Sequence, residues 1–498
     1  MTWSIPDDFG GMTEAMFRRS RAFYGVRATA VDVLTFDTRP DYPALQERLR
    51  ADGTLSRGIR ILNLYDWLRE NRLPGSDAAT SGPAADPPVD ADAATMHRLR
   101  GGTVLSRLRH NSQGQVVQTD HFRMDGSLLL TDRRDVRRPG EPSGRRLVLH
   151  DRRGRPIRSW TRIWDLYADW LDALTAGRPS YFIVDSKTAA PFMARYRRPH
   201  VVTAHLVHGA HRDATGALKK SRSAALSQAD RFDVVAVLSR AQARDMRRDL
   251  GPSPVITVVS NPTHRAERAL SPASRPTTKG VVVASLTRRK RVSHAISAVR
   301  QVNISRQASL SLDVYGDGES RVALDRQARS DPNIRLHGHV ADARERLDHA
   351  SFALFTAHSE GFPLALVEAM AAGCVPIAYD FDYGPAEIIR HRRNGYLVPS
   401  GDVDALADAV AEMVGLPEWR RRRMRAHGMR TTRKFSDEAV CAQWSNAFEL
   451  ALLRRLLRRN AVARAIVQRW PGVRTAPTLA PRVAALLGRT GAFRAARR

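Results

Sequence analysis

The sequence predicts an α/β protein of two or three domains. Strand-length apolar runs alternate with helix-period segments through most of the chain, the pattern of parallel sheets covered by helices. At 498 residues the chain is also longer than one hydrophobic core usually serves. A stretch rich in Ala, Pro and Asp, from Asp77 to Ala93, and the glycine-centred turns after it interrupt the alternation.

Taken in order, Thr2 to Pro6 reads as an opening strand. A glycine turn, Asp7-Asp8-Phe9-Gly10-Gly11-Met12-Thr13, then leads into a helix over Thr13 to Phe23. Asp77 to Ala93 reads as a linker or disordered loop. Three similar units follow: Leu105 to Phe122 around Ser112-Gln-Gly, Arg123 to Val136 around Met124-Asp-Gly, and Arg146 to Trp160 around Arg152-Arg-Gly. Glycine turns flanked by alternating residues are a hairpin signature, so this segment reads as an inserted antiparallel meander. The α/β order resumes with a helix over Thr161 to Ala176 and a strand over Tyr181 to Ser186. Further strands are expected over His200 to Val207, Gly280 to Ala284, Leu312 to Gly318, Ile334 to Val340 and Ser351 to Thr356. Helices are expected over Pro363 to Ala372, Glu418 to Lys434 and Phe448 to Arg459.

The candidate site lies at the junction between the Ser351 to Thr356 strand and the Pro363 to Ala372 helix. Gly361 in the join lets the backbone approach a ligand, and the N–H groups opening a helix attract anionic oxygens such as those of a diphosphate. Glu360 stands at the mouth and Glu368 within the helix; eight residues at about 3.6 per turn leave the two carboxylates on neighbouring faces, able to address one elongated ligand. A bare pair of this spacing would read as a capping acid and a solvated glutamate. The flanking residues decide otherwise.

Glu360-Gly-Phe-Pro-Leu-Ala-Leu-Val-Glu368-Ala-Met-Ala-Ala-Gly, then Tyr383-Gly-Pro-Ala-Glu387 and Asn394-Gly-Tyr-Leu-Val, resembles the donor-binding half of the family-4 retaining glycosyltransferases. The resemblance implies two facing Rossmann-like domains (glycosyltransferase type B) and a nucleotide sugar held mainly by the second. It places Glu360 on the donor sugar, Glu368 on the ribose, and Gly361, Phe362, Pro363 and Leu364 along the donor. It implies no metal and no cofactor beyond the nucleotide sugar, so protein cations must balance the leaving diphosphate. The family's pair, an Arg and a Lys five residues on, falls at Ser285 and Lys290. Lys290 matches; Ser285 departs from the pattern, leaving Arg288 or Arg289 as substitutes or as a solvated basic loop. In the same family the Gly10–Gly11 loop borders the reaction centre and acceptor, and a histidine near the donor sugar falls at His208 first and His211 second. The nucleobase lies against the loop at His337, Gly338 and His339, with Gly316 at the neighbouring strand exit.

The meander sharpens the resemblance, towards the poly(glycerol-phosphate) alpha-glucosyltransferases of wall teichoic acid and the glycosyltransferases that start glycan chains on serine-rich adhesins. There an inserted sheet serves acceptor binding or oligomerisation, so a homo-oligomer through this segment is one expectation. The implied division is 1–95 with 161–270 as the N-terminal Rossmann-like domain, 96–160 as the inserted β domain, 271–435 as the nucleotide-sugar domain, and 436–498 as a crossover helix and basic tail. The implied activity is transfer of a hexose or N-acetylhexosamine from a UDP-sugar to a poly(glycerol phosphate)-type polymer. A protein or lipid-linked glycan acceptor is one alternative, and a non-catalytic polymer-binding subunit another.

Charge supports an anionic partner. The net charge is +29, from 80 Lys plus Arg against 51 Asp plus Glu, and nearly all the cations are Arg. Such a field concentrates polyanions. An anionic glycopolymer suits the cluster Arg133, Arg134, Arg137, Arg138, Arg145 and Arg146, although Arg-rich usage throughout a genome would give the same counts. No recognition motif accompanies the charge, which argues against nucleic acid. Leu452, Leu453, Leu456 and Leu457 with Arg454, Arg455, Arg458 and Arg459 form an amphipathic pattern, suited either to an anionic membrane surface or to packing on the N-terminal domain. Two cysteines, Cys374 and Cys441, make no disulfide framework, and neither a spanning apolar run nor a signal pattern is present. A cytoplasmic protein, peripheral at most to the membrane's inner face, is expected.

Overall fold

The computed structural model describes residues 1–7, 9–75, 94–134, 144–213, 215–263, 276–340, 343 and 345–459. Asp8, the expected linker Asp77 to Ala93, Arg137, Arg138 and the basic tail from Ala461 lie outside the described residues. The chain divides into two compact units, Met1–Phe9 with Ala30–Thr203, and Gly10–Thr29 with Ala204–Arg498. The division thus falls between Thr203 and Ala204 and assigns the first helix, Gly11–Arg27, to the second unit.

In the first unit, strands Val31–Thr35 and Ile59–Asn63 pair in parallel, Val31 opposite Ile59. The expected opening strand is not formed. Instead the Thr2 N–H donates to Leu34 O at 3.1 Å and the Phe36 N–H to Trp3 O at 3.0 Å, two isolated bonds beside Val31–Thr35. Pro6 carries no N–H to extend such a ladder. Helix Ile163–Thr175 buries Leu166, Trp170 and Leu171. Its aromatic residues meet Phe36, which lies 4.9 Å from Tyr167 and 5.5 Å from Trp170 between ring centres.

The segment from Ala94 to Trp160 forms one six-stranded antiparallel sheet. Its strands, adjacent in chain order, are Ala94–Arg100, Thr103–His110, Val116–Phe122, Leu128–Arg133, Arg146–His150 and Pro156–Trp160. Three of its turns hold Gly114, Gly126 and Gly154 at φ 74°, 80° and 78°, where a side chain would be strained. Each of these glycines closes its turn by donating an N–H to the residue three back, Asn111, Arg123 and Asp151 respectively. The first strand begins directly after the Ala- and Pro-rich stretch, and the sequence reading did not include it.

This sheet changes the meaning of the expected basic cluster. Arg133 and Arg146 are buried, and Arg145 and Arg134 both pair with Asp132, at 2.7 and 3.4 Å. Arg133 and Arg146, paired across Leu128–Arg133 and Arg146–His150, are thus taken from the open surface, whereas Arg134 stays exposed beside Asp132.

In the second unit, Ala204–Val207, Val234–Val237 and Ile256–Val258 pair in parallel. The larger sheet has six parallel strands in the order Ile334–Gly338, Ser311–Tyr315, Lys279–Val283, Phe352–Phe355, Val375–Asp380, Tyr396–Pro399. In chain order this is 3-2-1-4-5-6, the doubly wound arrangement, whose direction reverses between Lys279–Val283 and Phe352–Phe355. Helices Val292–Ser305 and Val403–Gly415 bury Ile296, Val299, Leu406 and Val410 on one core; Ala369 and Cys374 belong to a second, with Val281 and Ala353. Helix Asp437–Arg459 packs on Gly11–Arg27, with Arg19 over the Trp444 ring at 5.6 Å. Arg455 holds Asp233 through two hydrogen bonds of 2.7 and 2.5 Å, so it belongs to packing and not to an open amphipathic face. Among the described residues no helix is long and apolar enough to cross a membrane.

Candidate functional site

The loops leaving Lys279–Val283 and Phe352–Phe355 flank the point where the strand order reverses, the place where open parallel sheets bind ligands. Backbone contacts fix them together. The Thr356 hydroxyl donates to Lys290 O at 2.9 Å, and the His358 N–H donates to Arg289 O at 2.8 Å. The result is that Lys290 and Glu360, seventy residues apart, form an ion pair. Arg289 donates through Nη1 to Ser359 O at 2.7 Å, whereas Arg288 is exposed and is held through its backbone N–H, 3.3 Å from Glu319 Oε1. Ser285 is exposed on the same loop.

Gly361 occupies its position because nothing larger fits. A Cβ there would stand 1.8 Å from the His208 carbonyl oxygen and 2.5 Å from Gly209 Cα. On the other flank Gly384, at φ 154°, leaves room for Pro363, whose Cδ would lie 2.5 Å from a Cβ. Phe362 is buried with its ring edge-on to Phe435 at 5.3 Å. Pro363 then precedes helix Leu364–Ala371, where its fixed φ suits a helix start.

Glu368 is buried in that helix, and Arg18 Nη1 lies 2.6 Å from its Oε1. The pair is electrostatic, since no well-aligned hydrogen bond joins these two atoms. Arg18 is positioned in turn by Glu14, whose Oε1 accepts from its Nε at 2.9 Å. Both come from Gly11–Arg27, the helix opened by Gly10 and Gly11; Gly11 has φ 43°, and the space around both glycines is open.

His208 and His211 take different parts. His208 meets the Gly361 turn through its backbone carbonyl, and its side chain is half-buried. His211 is fully buried, with Nε2 3.1 Å from Asp249 Oδ2 and its ring stacked 5.5 Å from Tyr383. Burial pushes its imidazole below the ordinary pKa, more strongly than Asp249 raises it. Tyr383 donates its hydroxyl to Asp245 at 2.9 Å, and Glu387 of the same block accepts the N–H groups of Arg240 and Ala241 at 2.9 and 2.7 Å.

At the next strand exits, His337 Nε2 lies 2.7 Å from Asp313 Oδ1 and its ring stacks 4.6 Å from Tyr315. The Gly316 N–H donates to Gly338 O at 2.7 Å, and a Cβ on Gly316 would stand 1.8 Å from Ala284 O. His339 is exposed beyond them. Gly316, His337 and Gly338 are therefore brought together, and Glu360, Lys290, Arg289, Gly361 and His208 form a second group. Sequence reasoning missed Arg18, Asp245, Asp249 and Arg222. Arg222 reaches Gly209, where a Cβ would lie 2.6 Å from its Nη2.

Residues 270–429 match the model of a known family, the glycosyl transferases group 1. That stretch resembles a group 1 glycosyl transferase. Relatives of this transferase include the poly(ribitol-phosphate) alpha-N-acetylglucosaminyltransferase of Staphylococcus aureus, 21% identical over 88% of this chain and 97% of that protein. The poly(glycerol-phosphate) alpha-glucosyltransferase of Bacillus subtilis is 21% identical over 92% and 75%. The transferase also shares its fold with S. aureus TarM, solved with fondaparinux, alpha-GlcNAc-glycerol and UDP: TM-score 0.66, 19% identity, 90% of this chain and 98% of that one. Pneumococcal O-GlcNAc transferase GtfA, solved with UDP and GlcNAc, gives 0.61 at 16% identity over 91% and 98%. The fold is thus the type B glycosyltransferase fold expected from the sequence, and the enzyme is a nucleotide-sugar-dependent hexosyltransferase.

Proposed function

We propose that this transferase moves a hexose or N-acetylhexosamine from a UDP-sugar to a cell-envelope polymer of the poly(glycerol phosphate) or poly(ribitol phosphate) type, with retention at the anomeric carbon. The observation that carries the donor assignment is the Lys290–Glu360 pair at the switch point of the parallel sheet. Lys290 neutralises the departing diphosphate, and Glu360 orients the donor sugar at the turn that Gly361 keeps narrow. Glu368, paired with Arg18, accepts the ribose hydroxyls. Gly316, His337, Gly338 and His339 form the base-side wall, with Phe362, Pro363 and Leu364 along the donor. His208 shapes the sugar pocket. His211, clamped between Asp249 and Tyr383, holds the His208–Gly209 loop, and Gly10–Gly11 borders the acceptor. Neither glutamate is assigned as acid or base; bond breaking precedes same-face attack through an oxocarbenium-like state, unlike the two-carboxylate arrangement of glycosidases.

The acceptor assignment is supported by the two phosphate-polymer transferases that this chain matches along most of its length. The measurement is release of nucleoside diphosphate from UDP-, GDP- and ADP-sugars, with and without each polymer. Release from a UDP-sugar that rises with polymer is expected, and Glu360→Gln should lower turnover at least a hundredfold, the usual scale for removing a group that acts in the transition state. Near-native turnover in that variant overturns the role of Glu360. Release that no polymer stimulates, but a serine-rich protein does, overturns the acceptor.

A further inference from the structure

Several cations gather beside the Ser359–Pro363 turn, and they differ in what balances them. Lys290 has Glu360, and Arg289 has the Ser359 carbonyl. Arg222, from helix Lys220–Leu226, has neither: among the described residues no hydrogen bond or ion pair reaches its guanidinium. The group is nonetheless half-buried. It lies over Gly209, close enough that a Cβ there would stand 2.6 Å from Nη2. Gly209 Cα is itself 2.5 Å from where a Cβ of Gly361 would be, so the guanidinium stands about one residue's width from the Glu360–Gly361 turn.

Its surroundings make this position unfavourable without an anion. Burial lowers the Arg222 pKa, with no acidic neighbour to oppose it. The Lys219 ammonium is likewise held below its ordinary pKa, first by burial and then by Arg222 and Arg289. A desolvated cation among cations is costly unless a negative group joins it. A planar guanidinium offers paired N–H donors that match phosphate oxygens.

We propose that Arg222 binds the diphosphate of the nucleotide-sugar donor, reaching it across Gly209 and supplying positive charge alongside Lys290. This rests on the donor site proposed above. Arg222 balances the second negative charge of the diphosphate, because Lys290 already faces Glu360.

The test compares the full-length protein with Arg222→Gln, Arg222→Lys and Gly209→Ala, measuring UDP and uridine binding by calorimetry and checking folding by circular dichroism. Arg222→Gln should weaken UDP by about tenfold or more, the usual worth of a hydrogen bond to a charged group, and leave uridine binding within about twofold. Arg222→Lys should retain part of the affinity. Gly209→Ala keeps the charge but displaces the guanidinium, and should weaken UDP selectively as well; it keeps the proposal testable if Arg222→Gln does not fold. Unchanged UDP affinity in a folded Arg222→Gln protein overturns the proposal, as do equal losses for UDP and uridine, which indicate a structural role. A higher KM for the phosphate polymer with unchanged UDP affinity also overturns it, by moving Arg222 to the acceptor. If the unaltered protein binds no UDP, the donor reading itself fails, an outcome distinct from the others.

Discussion

His121 illustrates how one side chain sets a limit on the first unit. Its ring is buried and stacked 4.3 Å from Tyr65, and burial, reinforced by Arg69, Arg98 and Arg134, pushes its pKa down to about 3. The unfolded chain takes up a proton near the ordinary pKa of about 6.5, whereas the native state does not. The stabilisation is therefore complete above about pH 6.5 and is lost as the pH falls towards 3, at up to about 1.4 kcal/mol per pH unit. Urea unfolding between pH 4.5 and 7 should show this slope, and His121→Phe should flatten it; parallel slopes would refute the account. At this scale the sequence was informative only where a motif is local. Glu360, Gly361 and Glu368 stand in one block, and Lys290 opens a loop after a recognisable strand. Arg222 stands on a seven-residue helix with no periodic signal, and only tertiary contact brings it to Gly209. Arg18 was hidden for the same reason, one arginine among many on Gly11–Arg27.

Among the elements, helix Arg240–Leu250 shows how a motif residue can serve structure. Ser239 caps it by accepting the Gln242 N–H, and Glu387, from a distant block, accepts those of Arg240 and Ala241. A carboxylate at a helix N-terminus satisfies orphan donors and complements the helix dipole. Glu387→Ala should therefore cost about 1–2 kcal/mol and lower Tm by a few degrees, with Glu387→Gln intermediate. An unchanged Tm would leave the carboxylate without that role. The parallel strands of the second unit were legible because strands covered on both faces read as continuous apolar runs, as in Val281–Val283 and Phe352–Phe355. Two segments of the first unit were not legible in this way. Thr2–Pro6 has strand-like residues but makes only isolated bonds, and Ala94–Arg100 follows a stretch whose composition masks where order resumes.

Over the whole molecule, the charge of +29 is unevenly used. Arg145, Arg198, Arg212 and Arg455 are each committed to an aspartate. Others stay in water, including Arg420, Arg422 and Arg423 on helix Glu418–Thr432. Exposed charges act at long range and are screened by salt, with a Debye length of about 10 Å at 0.1 M. Raising sodium chloride from about 50 to 300 mM should thus raise KM for a phosphate polymer several-fold, while UDP binding at the partly buried Lys290–Glu360 pair changes less. Equal salt sensitivity of polymer and UDP would mean that the general field does not gather the acceptor.

The glycines at 361 and 384 leave no space on either flank of the turn that presents Glu360. A segment so confined loses its conformational freedom when the chain folds, not when a ligand arrives. Binding of the sugar end of the donor should then carry little ordering entropy, and its association rate should reflect diffusion more than loop closure.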